Sequence, residues 1–208
     1  EIIENATGSD EATKISNIYA SFMAADAVNA KGCSPIEGEL AEVDSIASLK
    51  DFTSTLSKLE ARGLSGIFGT FIYADMKDAS SHIMYLQQGG ISLPDEAYYR
   101  EEQYAEIRTA FLSHVSTMFA LAGIANGADL AAKVMALETS IASHHWDQVK
   151  DRDATLTYNK MSRNEVIALM PAFDWDLYLA EGEIPAIVLD SVIVQQPSFF
   201  EGLNSILS

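Results

Sequence analysis

Apolar residues recur at three- and four-residue spacing along most of this chain, which is the pattern of helices that bury one face. After Ser9-Asp10-Glu11, a helix-start pattern, Ile15, Ile18, Tyr19, Phe22 and Met23 share a face, and the spacing predicts a helix running to Lys31-Gly32. Pro35-Ile36 opens a second helix with Leu40, Val43 and Ile46 inward. Leu49, Phe52, Leu56 and Leu59 make a third, stopped by Gly63. From Tyr104 the stripe Ile107, Phe111, Leu112, Val115, Met118, Phe119 and Ala122 gives the clearest amphipathic helix, ended by Gly123 to Gly127. Another runs from about Asp129 to near Asp151 with Leu130, Val134, Leu137 and Ile141 on one face. Short helices follow Ser162 and Asp174, and Pro197 opens the last one.

The helical period lapses twice. Residues 67–75, within "GIFGTFIYAD", are aromatic and β-branched and too short for a good helix, so they read as a strand, half of a hairpin. A brief second strand is expected at 192–195. The glycines at 63, 66 and 69 are not spaced as a dinucleotide fingerprint and read as a turn with close packing. No repeat, low-complexity segment or flexible linker interrupts the chain. The expectation is a mainly α fold, a single helical lobe over 1–208 with one or two short β pieces.

Composition narrows the function classes. With 48% apolar and 21% charged residues the chain is that of a folded protein. A formal net charge of −17 disfavours a nucleic-acid partner, and the longest apolar run, Met118 to Ala125, is far short of a membrane span. Cys33 is the only cysteine, so neither an internal disulfide nor a cysteine-based zinc site is available, which favours a reducing compartment. The N-terminus has neither a methionine nor a signal-peptide pattern, which suggests an excerpt or a processed product. Asn5-Ala6-Thr7 matches the glycosylation triplet, a pattern that arises often by chance.

Catalytic motifs are missing. None of His82, His114, His144 and His145 belongs to an H-E-x-x-H or Glu-x-x-His pattern, and neither a G-x-S-x-G elbow nor a phosphate-cradling G-x-x-x-x-G-K occurs. Two stretches remain. In "ALETSIASHHWDQVKDRD" an unbroken helix places Glu138, His145 and Arg152 seven residues apart on one edge. They are then either an acid/base or metal pair, or charged anchors to neighbouring helices; seven residues span about 10 Å, which favours anchors. In "GGISLPDEAYYREEQY" Pro94, Asp95 and Glu96 suit a first helical turn, with tyrosines that either line a cleft or pack helices together.

Taken together these stretches resemble the neprilysin-like zinc metallopeptidases, a family that includes endothelin-converting enzymes and bacterial oligopeptidases. "SLPDEAYY" is similar to the family's G-L-P-D-x-x-Y-Y, "IYASFM" to Y-x-S-x-M, "LETSIA" to L-E-x-x-L-A, "RDATLTYN" to R-D-x-x-x-x-Y-N, "PAFDWDLYL" to P-x-F-D-W-x-x-Y-L, and "VIVQQPSFF" completes the series in order. The resemblance implies a segment of the N-terminal, mostly helical region, away from the zinc ligands on H-E-x-x-H and a downstream glutamate. It carries no catalytic, metal or substrate-binding residue onto this chain. Glu138, Arg152, Asp153 and Trp175 lie in the matched segments and are expected to be structural anchors.

The function this implies is a non-catalytic, cavity-enclosing segment of a zinc metalloendopeptidase that hydrolyses oligopeptides. Zinc then belongs to the longer protein and not to this fragment, and the partners are peptide substrates and the catalytic lobe of the same chain. Low cysteine content suggests a bacterial member, cytoplasmic ahead of secreted. Two other classes compete: a stand-alone helical binding module that lacks the catalytic half, and an unrelated helical metal-dependent enzyme using Glu138 with His144 and His145.

Overall fold

Serine and aspartate side chains start several of the helices, each supplying an acceptor to an amide that the first turn leaves free. The computed structural model describes Ile3 and residues 9–208; the Asn5-Ala6-Thr7 triplet lies outside them. In α1 (Asp10–Met23) the amide of Ala12 donates to Ser9 Oγ at 3.0 Å. The single helix expected to reach Lys31 is two: Ala24 leaves the helical region at ψ 58°, and α2 (Ala25–Lys31) follows and ends at Gly32. Alanine carries no breaking signal, so sequence pattern could not place this joint. Pro35 sits in a short 3-10 turn, and α3 (Glu37–Asp44) ends before Ile46. Ser48 caps α4 (Leu49–Ala61), accepting from the Asp51 amide at 3.1 Å.

The chain forms two compact units, residues 1–40 and 41–208. In the first, no residue of α1 or α2 is buried. The second holds the core. Its strands are β1 (Phe68–Asp75), β2 (Asp78–Gln88), β3 (Asn159–Met161) and β4 (Val192–Val194), in the order β1-β2-β4-β3. β1 and β2 form an antiparallel hairpin, β2 and β4 are parallel, and β3 is antiparallel to β4. β1 and β4 correspond to the expected strands; β2 and β3 are additions. β2 begins polar and then runs Ile83-Met84-Tyr85-Leu86, all buried, because both faces of the sheet are covered there and the alternation that marks a half-exposed strand is lost. β3 is three residues without a pattern of its own, and its partner strand defines it.

Met84, Leu86, Val192 and Val194 face the main core together with Phe68, while Ile83, Tyr85 and Ile193 face a small cluster with Tyr158. Around the Phe68 ring stand Phe173, Trp175, Tyr178 and Phe200, with centroids 5.4 to 5.7 Å away.

The remaining helices are α5 (Ala97–Arg100), α6 (Ala105–Leu121), α7 (Gly127–Ala142), α8 (Gln148–Asp151), α9 (Arg163–Leu169), α10 (Trp175–Glu181) and α11 (Pro197–Leu207). α6 and α7 pair as a hairpin across a turn in which Gly123 and Asn126 take positive φ. α9 carries a capping box between Ser162 and Glu165, and Asp174 Oδ1 accepts from the Leu177 amide at the head of α10. The described residues form eleven α-helices and four strands, a mainly α fold as expected. No helix among them is long and apolar enough to cross a membrane.

Candidate functional site

The parallel strands β2 and β4 end side by side, and the stretches that drew attention in the sequence meet beyond those ends. Gly89 and Gly90 leave β2 across the start of β1. Gly90 takes φ +77°, and a Cβ there would lie 2.7 Å from the Ile67 carbonyl oxygen, so only glycine fits without strain. The chain then enters Ser92-Leu93-Pro94-Asp95, a loop held from its own far end. Tyr99 Oη accepts from the amides of Ser92 at 3.1 Å and Leu93 at 2.9 Å, and donates to Glu138 Oε2 at 2.5 Å. All three hydrogen-bonding positions of the phenol are filled. Burial, reinforced by the Glu138 carboxylate, pushes the Tyr99 hydroxyl far above its usual range.

Glu138, on α7, is the hub. Its Oε1 accepts from Ser92 Oγ at 2.7 Å and its Oε2 also from the Ser92 amide at 3.1 Å, so both oxygens are engaged. Asp95 closes the loop, its Oδ1 accepting from the Ala97 amide at 3.0 Å and its Oδ2 from Gln148 Nε2 at 2.5 Å. Leu93, Tyr99 and Ala142 bury their apolar parts together. The tyrosines thus pack elements together: Tyr98 stacks on Tyr104 with centroids 4.0 Å apart.

A second set of contacts joins this loop to the strand ends. Gln88 grips the backbone of Trp146 twice, Nε2 donating to its carbonyl at 3.1 Å and Oε1 accepting from its amide at 2.8 Å. The Gln88 amide donates to Gln196 Oε1 at 2.8 Å, and Gln196 Nε2 donates to Asp151 Oδ1. His145 Nε2 lies 2.9 Å from the Gly89 carbonyl oxygen and so carries the proton; the ring stands edge-on to Phe199. Burial lowers the His145 pKa, with the Gly89 carbonyl opposing it. A cavity of about 300 Å³ lies between the two sets, lined by Asp95, Glu96, His145, Trp146, Gln148 and other residues.

The expected polar line of Glu138, His145 and Arg152 does not exist, because α7 stops at Ala142 and Ser143–Asp147 turn away before α8. Glu138 holds the Ser92 loop and His145 the Gly89 carbonyl, while Arg152 donates to Gln148 Oε1 at 3.3 Å from an exposed position. Asp153 anchors its own turn, its Oδ1 accepting from the Thr155 amide at 2.8 Å. Trp175 is buried in the aromatic core, its Nε1 without a hydrogen-bond partner. Sequence reasoning missed the clamp of Gln88 and Gln196; the one signal available was the doubling of glutamine at both strand ends, Gln87-Gln88 and Gln195-Gln196.

This junction fastens three loops, and the aliphatic hydroxyl that meets a carboxylate in it, Ser92 Oγ on Glu138 Oε1, belongs to the tie that holds the Ser92 loop. Among the described residues no group of three or more His, Cys, Asp or Glu is arranged to hold a metal.

Part of this junction, the Ser92–Tyr99 loop, Glu138 and Gln196, falls in the segments that carried the resemblance. The N-terminal family model of peptidase family M13 matches residues 1–208, and the chain belongs to that family. It is therefore a neprilysin-like metallopeptidase N-terminal segment, as the motifs implied. The crystal structure of the Mycobacterium tuberculosis zinc metalloprotease Zmp1 with an inhibitor superposes with a TM-score of 0.89 at 34% identity, covering 97% of this chain and 31% of that one. PepO from Lactobacillus rhamnosis shares the fold, with a TM-score of 0.68 at 21% identity over 86% of this chain and 29% of its own. Human endothelin-converting enzyme 1 is 26% identical over 168 residues, 76% of this chain. The chain spans about a fifth of that relative's length, 21%.

Proposed function

We propose that this chain is a non-catalytic segment of a zinc metalloendopeptidase that hydrolyses oligopeptides, serving to wall the cavity in which a catalytic lobe of the same protein acts. The observation that carries the reading is the family match over residues 1–208; the junction at the strand ends ties loops together, and among the described residues no cluster of His, Cys, Asp or Glu is arranged to hold a metal. The named relatives are a zinc metalloprotease and a converting enzyme, and each is several times longer than the matched part. The contribution of such a segment is shape: a roofed cavity admits flexible peptides and turns folded proteins away. The Glu138 and Gln88 ties serve this by holding the loops at the strand ends rigid.

The lone cysteine supports a cytoplasmic, bacterial setting for the protein, which subcellular fractionation of the host would test. The functional reading itself is tested by the reading frame around the segment. An H-E-x-x-H followed downstream by a further glutamate in the same frame is expected. A frame that closes without them would turn the account towards a helical binding module.

A further inference from the structure

Among the described residues, one carboxyl oxygen is both sealed from solvent and without a hydrogen-bond partner: Oε1 of Glu60, in the last turn of α4. The seal is made by this chain's own atoms. A Cβ at Gly66 would overlap that oxygen, so the carboxyl rests on the bare glycine, with Leu56 Cδ1 3.1 Å from the same position. The other oxygen, Oε2, lies 2.5 Å from Oη of Tyr178 on α10, a residue only 1% exposed.

The charges on the elements around Glu60 are engaged elsewhere. Lys58 bonds Glu181 at 2.9 Å, Arg62 bonds Glu42, and Asp176 on α10 is the partner of Arg163. β1, packed on Tyr178 through Phe68, has no charged residue from Phe68 to Ala74. A carboxylate in such a place is costly. A neutral carboxyl keeps the hydrogen bond to the phenol and leaves only a carbonyl-type oxygen unpaired. Burial accordingly raises the Glu60 pKa, with the Tyr178 hydrogen bond opposing it.

The sealed oxygen also sits at a hinge. After Ala61 the chain reverses through Gly63, at φ +93°, and the amides of Gly63 and Leu64 donate back to the carbonyls of Glu60 at 2.9 Å and Leu59 at 3.1 Å. Gly66, under the carboxyl, is followed by Ile67, whose carbonyl oxygen is the atom that a Cβ at Gly90 would meet. Gly90 leads into the Ser92 loop. One short turn therefore touches the Glu60 carboxyl on one side and the entry to the junction on the other.

We propose that Glu60 is a proton-operated latch: its neutral carboxyl pins the turn at 63–67 between α4 and Tyr178, and its ionisation frees that turn and loosens the Ser92 loop. An unperturbed glutamate titrates near about 4.3, and the closed latch holds its proton to higher pH. Its hold is therefore complete below about pH 4 and weakens as pH rises through the Glu60 midpoint. The latch is independent of zinc chemistry and of the peptidase reading.

The test uses the protein in its full reading frame and compares the parent with Glu60→Gln, which keeps the shape of the side chain and removes its charge. Infrared spectra taken against pH should show a protonated-carboxyl band that outlasts ordinary glutamate titration and is missing from Glu60→Gln. Between about pH 4 and about pH 7, hydrogen-exchange protection at Gly63, Leu64, Ser92 and Leu93, corrected for the intrinsic rate, should fall about tenfold further in the parent than in Glu60→Gln. Gly66→Ala drives the carboxyl out by filling its place, so it should show the low protection already in acid, and it serves if Glu60→Gln fails to fold. A band lost within the ordinary glutamate range, equal protection losses in parent and Glu60→Gln, or parental protection of Gly66→Ala in acid would overturn the proposal. So would a loss at Gly63 and Leu64 that leaves Ser92 and Leu93 unchanged.

Discussion

Glu138, Arg152 and Asp153 look alike in sequence, charged residues in motif-bearing segments, yet each makes a different kind of contact. Glu138 takes three hydrogen bonds from a loop 46 residues away and from Tyr99; Arg152 makes one long contact four residues back. Removing the hub leaves the Tyr99 proton and the Ser92 donors to find water, so Glu138→Ala should cost about 2 kcal/mol in urea unfolding. Arg152→Ala should fall within about 0.5 kcal/mol of the parent in the same assay. The difference was illegible beforehand because periodicity extended the helix through His145, and the partners of Glu138 come from a distant loop. Asp75 offers a residue-scale test by pH. Lys160 first, then the Lys77 amide and Tyr158, hold its pKa down to about 2. An unfolded aspartate titrates near 3.9, so the stability this site contributes is complete above about pH 4 and is lost as pH falls towards 2. Asp75→Asn should therefore flatten the stability profile between pH 4 and 2 and leave its shape at neutral pH unchanged.

Among the elements, those with a local cause were readable. α4, α9 and α10 start at Ser48, Ser162 and Asp174, whose side chains cap them, and α11 starts at Pro197. The joint at Ala24, the end of α7 and the strands β2 and β3 have causes outside the segment or no local signal, and pattern reading passed over them. The loop after β2 shows how close approach fixes residue type. Gly90→Ala combines a positive φ with a Cβ 2.7 Å from a backbone oxygen that cannot rotate away. A loss of about 1–3 kcal/mol is expected on thermal or urea unfolding, with weakened protection of the Ser92 and Leu93 amides in hydrogen exchange. Gly123→Ala is the comparison, since its φ is also positive but nothing stands within 4 Å, and its cost should be smaller.

At the scale of the whole molecule, family and fold class were legible because several ordered motifs span the chain, and order across 208 residues is hard to reach by chance. The chemistry was not legible because no catalytic motif stands in the sequence: the match covers 31% of the Zmp1 chain, and the described residues hold no metal-holding cluster. Apolar side chains along α1, Ile18 and Phe22 among them, stand exposed in a chain that is a minor share of its relatives' length. The central claim, that this segment frames a peptidase cavity without performing the reaction, is tested most directly by measuring zinc content and cleavage of a quenched fluorescent oligopeptide with the 208-residue chain alone and with the full reading frame. The account predicts no stoichiometric zinc and no turnover from the chain alone, and chelator-sensitive cleavage from the full protein. One zinc per chain with chelator-sensitive cleavage by these 208 residues on their own would contradict it.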